Sequence, residues 1–171
     1  MTKHHKMAFL SLLVTFAIAL HIIENMLPVL LPVPGAKLGL ANIISLLAIS
    51  LFGLKEGMII NVLRCIMGAL LSGSMSSLIY SLFGAVTSTL VMSFFYKYYK
   101  GTFSLVGISI IGGISHNLAQ ITIASLILST YSLYLYLPFL MVIGLLTGLL
   151  TGFTALYARN NIMRIRFKTD D

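Results

Sequence analysis

The chain has 171 residues, of which 58% are hydrophobic and only 9% are charged, with a mean hydropathy of +1.02. A soluble domain carries about 25% charged residues, so the composition excludes an ordinary water-facing surface and predicts one integral membrane domain over residues 1–171. The net charge of +7 is concentrated at the termini and in a mid-chain loop. This distribution is typical of cytoplasmic loops near lipid headgroups and argues against nucleic-acid binding.

Six apolar segments predict an all-α bundle of six transmembrane helices in a lipid bilayer. A membrane span needs about 20 mostly apolar residues, and the second and third segments are shorter than that. Lysine and arginine precede the first segment, follow the sixth, and lie in the second-to-third and fourth-to-fifth connections. The positive-inside rule then places both termini in the cytoplasm of a multi-pass cell-membrane protein. The predicted helices cover residues 7–26, 38–52, 57–71, 76–96, 105–129 and 133–157.

A connection rich in proline and glycine, residues 27–36, joins the first two helices and leads into Lys37. Proline and glycine interrupt helices, and non-helical backbone at membrane depth is tolerated only where protein buries it or water reaches it. Lys37 is the one cation on the predicted outer side, so topology does not explain it. We expect residues 27–36 to cover a polar site. Lys37 either faces that site or extends to the outer headgroups.

Polar residues recur inside the predicted spans, where they usually face the protein interior or a wet cavity. Arg64 is the one arginine within a span, on a helix face that also carries Asn61 and Gly68. We expect a pocket in the outer half of the bundle, walled by the first, second, third and fifth helices. Its cations suit a small organic ligand with an anionic group. The candidate substrate-binding residues are Glu24, Lys37, Asn42, Arg64, His116, Asn117 and Gln120.

Each of these side chains also has a purely structural interpretation. Arg64 could pair with Glu24 or bond to helix carbonyls, and the polar residues of the fifth helix could join helices through hydrogen bonds. The recurrence of cations, amides and glycines on several helices favours the pocket.

Two series of small residues predict close helix packing or docking of a partner. Three glycines on the sixth helix, spaced by four residues, form a groove that a neighbouring backbone can approach. On the first helix, Ser11, Thr15 and Ala19 form a ridge that either packs within the chain or docks another membrane subunit. The three glycines of the sixth-helix groove are Gly144, Gly148 and Gly152.

The sequence offers little support for catalysis. It has four acidic residues and one cysteine. There is no carboxylate cluster for magnesium–diphosphate chemistry, no cysteine–histidine metal set and no phosphate-binding loop. We therefore expect no catalytic residue, no metal and no cofactor.

Two motifs carry a family resemblance: Pro34-Gly-Ala-Lys-Leu-Gly-Leu-Ala-Asn-Ile43 and Gly107-Ile-Ser-Ile-Ile-Gly-Gly-Ile-Ser-His-Asn-Leu-Ala-Gln120, with Arg64 between them. With these motifs the chain resembles the Gx transporter family, also labelled heptaprenyl diphosphate synthase component I. The family is similar to the S components of energy-coupling factor (ECF) transporters. That likeness implies a substrate site under the loop between the first two helices, a coupling protein and two ATPases. S components dock through two alanines at i and i+4 on the first helix. On its first helix this chain has Ser11, Thr15 and Ala19 instead.

Three functions follow from these patterns. The first is a membrane substrate-binding subunit for uptake of a micronutrient or cofactor precursor. The second is a non-catalytic accessory subunit of polyprenyl (heptaprenyl) diphosphate or quinone synthesis, and the third is a structural membrane protein without a ligand. A pocket closed by the outer loop favours transport, whereas an opening toward lipid favours the accessory role.

Overall fold

The computed structural model describes residues 3–26, 39–73, 75–99 and 101–169. These residues form six α-helices and a short 3-10 helix, and no strand occurs among them. In chain order the elements are α1 (Lys3–Met26), α2 (Asn42–Phe52), α3 (Leu54–Ser72), α4 (Met75–Tyr98), α5 (Leu105–Ile127), the 3-10 helix (Tyr131–Tyr136) and α6 (Leu137–Thr169).

Four stretches in the described part of the chain are long and apolar enough to cross a membrane: His4–Glu24, Leu78–Tyr98, Leu105–Ile127 and Tyr131–Arg164. The α2 helix is apolar but has only 11 residues. The α3 helix has 19 residues, and three of them are charged. The all-helical architecture is confirmed, whereas six membrane crossings and the cytoplasmic termini stay predictions.

The largest difference from the expected helix boundaries is the end of α6, whereas α1, α2, α3 and α6 each begin three or four residues from the expected position. Only Gly53 separates α2 from α3, and its φ of 104° is a conformation that glycine adopts readily. The α6 helix begins at Leu137 with Pro138 in its first turn, where a missing N–H costs little. It continues to Thr169 because neither glycine nor proline interrupts residues 153–169, although the apolar run ends earlier.

Successive helices run in opposite directions between two ends of the bundle. We call the end that contains Gly53 the junction end. The end where α1 finishes and α2 begins is the loop end. At the junction end the rings of Phe9 and Phe52 lie 5.8 Å apart, and the Tyr96 hydroxyl donates to the Ser50 carbonyl at 3.1 Å.

Buried hydrogen bonds connect the three central helices α2, α3 and α4. The Ser45 hydroxyl donates to Asn61 Oδ1 at 2.6 Å, and Asn61 Nδ2 donates to Thr89 Oγ1 at 2.5 Å. Thr89 in turn donates to the Ala85 carbonyl at 2.7 Å. A continuous, satisfied network of this kind fixes the register of the helices it joins.

The α6 helix packs closely on α5 through its glycines. A Cβ atom at Gly148 would lie 2.6 Å from Ile110 Cα, and one at Gly152 would lie 2.7 Å from Val106 Cα. Real Cβ atoms do not approach a backbone atom so closely, so the contact requires glycine. The third glycine, Gly144, lies against Gly113.

Candidate substrate-binding site

The end of α1 contributes two buried polar side chains. His21 and Glu24 are 2% and 6% exposed and share a helix face because they are three residues apart. The His21 ring packs directly over Gly68 of α3, where any Cβ atom would overlap it. Glu24 Oε1 accepts the backbone N–H of Gly39 at the start of the chain leading into α2. These contacts join α1 to both α2 and α3 near the loop end.

Arg64 is a buried cation in the middle of α3, with only 3% of its surface exposed. Its Nε and Nη2 atoms have no hydrogen-bond partner among the described residues. An ionised group buried without full hydrogen bonding is costly, so these donors indicate a place for an acceptor that comes from outside the described chain.

Asn42 lies at the same level of the bundle as Arg64. The Ser45–Asn61 hydrogen bond fixes the register of the antiparallel helices α2 and α3. Three residues closer to the loop end than Ser45, α2 carries Asn42. Three residues closer to the loop end than Asn61, α3 carries Arg64. Asn42 is 8% exposed, and its Oδ1 atom has no hydrogen-bond partner in the described part of the chain. Two facing helices therefore carry unsatisfied polar atoms at one height.

The polar residues of α5 divide between two neighbouring helices. His116 and Gln120 face Gly84 of α4, where a Cβ atom would lie 2.9 Å from His116 Cε1 and 2.8 Å from Gln120 Cγ. Asn117 faces α6 instead and donates to the Leu140 carbonyl at 2.8 Å. Asn117 therefore ties two helices together, whereas His116 and Gln120 lie where the missing side chain of Gly84 leaves room.

The candidate residues thus form two groups. Glu24, Asn42 and Arg64 belong to the facing sides of α1, α2 and α3, while His116 and Gln120 lie at the interface of α4 and α5. The α4 helix packs against both α3 and α5, a neighbour order that the sequence did not reveal. Lys37 and the loop 27–36 lie outside the described residues.

Sequence reasoning did not single out His21. A signal was present, because a histidine three residues before Glu24 on an otherwise apolar helix shares its face. For metals, no group of three or more histidine, cysteine, aspartate or glutamate side chains within the described ranges is placed to hold an ion.

Comparison with solved structures shows the class of fold. The S component of a bacterial ECF transporter matches with a TM-score of 0.68 over 96% of this chain and 98% of that chain, at 19% sequence identity. The protein therefore has the fold of an S component and is a membrane protein with transmembrane helices. No curated protein matches the chain in sequence.

The family follows from a match to residues 13–158, which cover most of the chain. The protein belongs to the family described as heptaprenyl diphosphate synthase component I, which is also called the Gx transporter family.

Proposed function

We propose that this protein is the membrane-embedded substrate-binding subunit of an uptake system for a small organic micronutrient or cofactor precursor. The observation that carries the proposal is the buried guanidinium of Arg64, whose Nε and Nη2 atoms lack partners among the described residues. The S-component fold supports the same function, because the matching structure is a subunit of a transporter.

The geometry of Arg64 favours a ligand with a carboxylate or phosphate group. Nε and Nη2 lie on one edge of the guanidinium and present two parallel N–H donors. This edge matches the two oxygens of an anionic group and gives a bidentate, charge-assisted contact. At the same height, Asn42 Oδ1 would accept a hydrogen from a donor on the ligand.

We place the substrate site toward the outer side of a cell membrane. The lysines and arginines of the loops favour cytoplasmic termini, and with six crossings the loop end then faces outward. Residues 27–36 and Lys37 would cover the site there.

The proposed partner is a membrane coupling protein with associated ATPases. On α1, Ser11, Thr15 and Ala19 are exposed. The two hydroxyls donate within their own helix, Ser11 to Met7 O and Thr15 to Ser11 O, each at 3.0 Å. The ridge is therefore small and its polar groups are satisfied, which suits close approach of a helix from another subunit.

One observation favours a second function. A cavity between α2 and α4 at the junction end is lined partly by outward-facing side chains. The description of the family also names a component of a synthase. A non-catalytic accessory subunit of polyprenyl diphosphate or quinone synthesis would use such an opening to lipid. That function predicts copurification with a soluble synthase whose activity falls when the membrane subunit is removed.

Mass spectrometry of the protein purified from native membranes tests the proposed function. We expect a low-mass anionic ligand with the wild type and its loss from Arg64→Gln, because the bidentate contact disappears. Arg164→Gln removes an exposed arginine from α6 and should keep the ligand. A folded Arg64→Gln variant that retains the ligand would show that the site is elsewhere.

A further inference from the structure

A cavity of about 910 Å³ opens at the junction end, between the end of α2, the start of α3 and the last turns of α4. Its volume falls within the range of about 300–1,000 Å³ typical of small-molecule sites. None of the proposed substrate-binding residues lines it, so it is separate from the site at Arg64.

The wall of the cavity is mainly apolar and opens sideways. Ile49 and Leu51 of α2 form one side, and Leu90 and Phe94 of α4 form the other. Leu90 and Phe94 are 48% and 50% exposed, so the opening points outward from the bundle. In a membrane protein, apolar side chains that point outward at the flank of a helix meet lipid chains.

Ser93 supplies an unsatisfied donor in this apolar wall. It is 8% exposed, and its hydroxyl has no hydrogen-bond partner among the described residues. On the same helix, Ser88 and Thr89 both donate to the carbonyl of Ala85. Ser93 departs from that pattern: its hydroxyl is enclosed beside the cavity, and a change of side-chain rotamer would turn it toward an oxygen atom there.

Lys97 supplies the one charge among the lining residues. Its side chain is exposed, and Nζ lies 5.2 Å from the centroid of the Tyr98 ring. No acidic residue lines the cavity. Of the carboxylates in the described ranges, Glu56 is bonded to Lys6 and Glu24 lies at the loop end. The cavity therefore combines apolar walls, a hydroxyl and an uncompensated positive charge.

We propose that this cavity binds a membrane phospholipid with an anionic headgroup. An acyl chain lies along Leu90 and Phe94, a glycerol-ester oxygen accepts from the Ser93 hydroxyl, and the phosphate lies near Lys97. Tyr96 and Tyr98 also line the cavity, and tyrosine is enriched where lipid headgroups begin. The surrounding bilayer is the source of the ligand because the opening is lateral. The site does not depend on the proposed transport function.

Native mass spectrometry of the full chain with equimolar phosphatidylglycerol and phosphatidylcholine tests this site. We expect phosphatidylglycerol to be retained preferentially and Lys97→Gln to weaken its binding about fivefold, the effect of one lysine near a lipid surface. Lys55→Gln is the matched control, because Lys55 is exposed at the same end but does not line the cavity. Ser93→Leu should fill the cavity and reduce retention of both lipids.

Three results would overturn the proposal, provided that thermal unfolding shows each variant to be folded. The first is equal retention of the two phospholipids by the wild type. The second is an equal loss of phosphatidylglycerol in Lys97→Gln and Lys55→Gln. The third is displacement of phosphatidylglycerol by an equimolar polyprenyl diphosphate, which would assign the cavity to an isoprenoid instead.

Discussion

A single buried guanidinium supplies the strongest functional signal in the chain. Arg64 could be identified from the sequence because a charge within a span is costly and requires a reason. The sequence did not show that its unpartnered donors share one edge, or that Asn42 lies at the same height. The missing partners depend on what surrounds Arg64 in the fold. The height of Asn42 depends on the register between α2 and α3, which the Ser45–Asn61 bond sets.

Neighbouring positions on α5 illustrate the limit of residue-level prediction. The sequence places His116 and Gln120 on one face of α5 and Asn117 beside that face, because successive helical residues are rotated by about 100° around the axis. The structure directs His116 toward α4 and Asn117 toward α6. The helix period alone gives relative directions, and only the positions of neighbouring helices decide what each side chain meets.

The Lys6–Glu56 ion pair predicts a pH-dependent stability at the junction end. The hydrogen bond from Lys6 lowers the pKa of the Glu56 carboxyl below its ordinary value of 4.5. Because the folded pKa is the lower one, the pair stabilises the fold above the unfolded pKa, and this contribution is lost as pH falls through the folded pKa. Lys6 is 40% exposed, so the contribution is at most about 1 kcal/mol.

Thermal unfolding in detergent across pH checks this prediction. Glu56→Gln should be less stable than the wild type near neutral pH, and the two curves should converge below the pH at which Glu56 is protonated. A difference that persists unchanged in acid would show that the carboxylate charge is not responsible.

At the scale of helices, the glycine groove of α6 predicts a large effect of one methyl group. Gly148→Ala places a Cβ atom 2.6 Å from Ile110 Cα, so α5 and α6 must separate. Overpacking of this kind costs about 1–3 kcal/mol, which thermal unfolding should report as a lower Tm. Gly107→Ala on α5 makes only ordinary contacts, 3.6 Å or longer, and should not lower the Tm. Equal Tm values for the two variants would contradict the packing.

The exposed ridge on α1 predicts a partner contact. Thr15→Leu adds bulk to the ridge without disturbing the fold, so a coupling membrane protein with its ATPases should copurify in smaller amounts. Thr154→Leu is a matched control, because Thr154 is also exposed and donates to a carbonyl of its own helix, Leu150 O. If both variants reduce copurification equally, or neither does, the ridge is not the docking surface.

Helix positions followed hydrophobic periodicity well, and the remaining differences have local causes. The α4 and α5 helices lie within a few residues of the predicted 76–96 and 105–129. The start of α6 was predicted at residue 133, but residues 133–136 belong to the 3-10 helix Tyr131–Tyr136, which precedes Pro138. Its end was predicted too early because only the apolar run was followed.

Across the whole molecule, the two proposed sites differ in chemistry and occupy different levels of one bundle. The residues around Arg64 are buried and lead toward the loop end, whereas the cavity at Lys97 opens laterally at the junction end. The composition was sufficient to predict a helical membrane protein. The sequence did not predict that α4 lies between the polar groups of α3 and those of α5. Hydrophobic periodicity indicates which face of each helix is buried, but not which helices pack against each other.

The proposed function depends above all on an anionic ligand binding at the Nε–Nη2 edge of Arg64. The most direct measurement compares the dissociation constant of the copurified ligand for the wild type, Arg64→Lys and Arg164→Gln. Lysine keeps the charge but loses the paired donors, so we expect about 10- to 100-fold weaker binding, equivalent to one charged hydrogen bond of about 1.5–3 kcal/mol. Arg164→Gln should bind as the wild type does. Unchanged affinity in a folded Arg64→Lys protein would show that the paired donors of Arg64 do not bind the ligand.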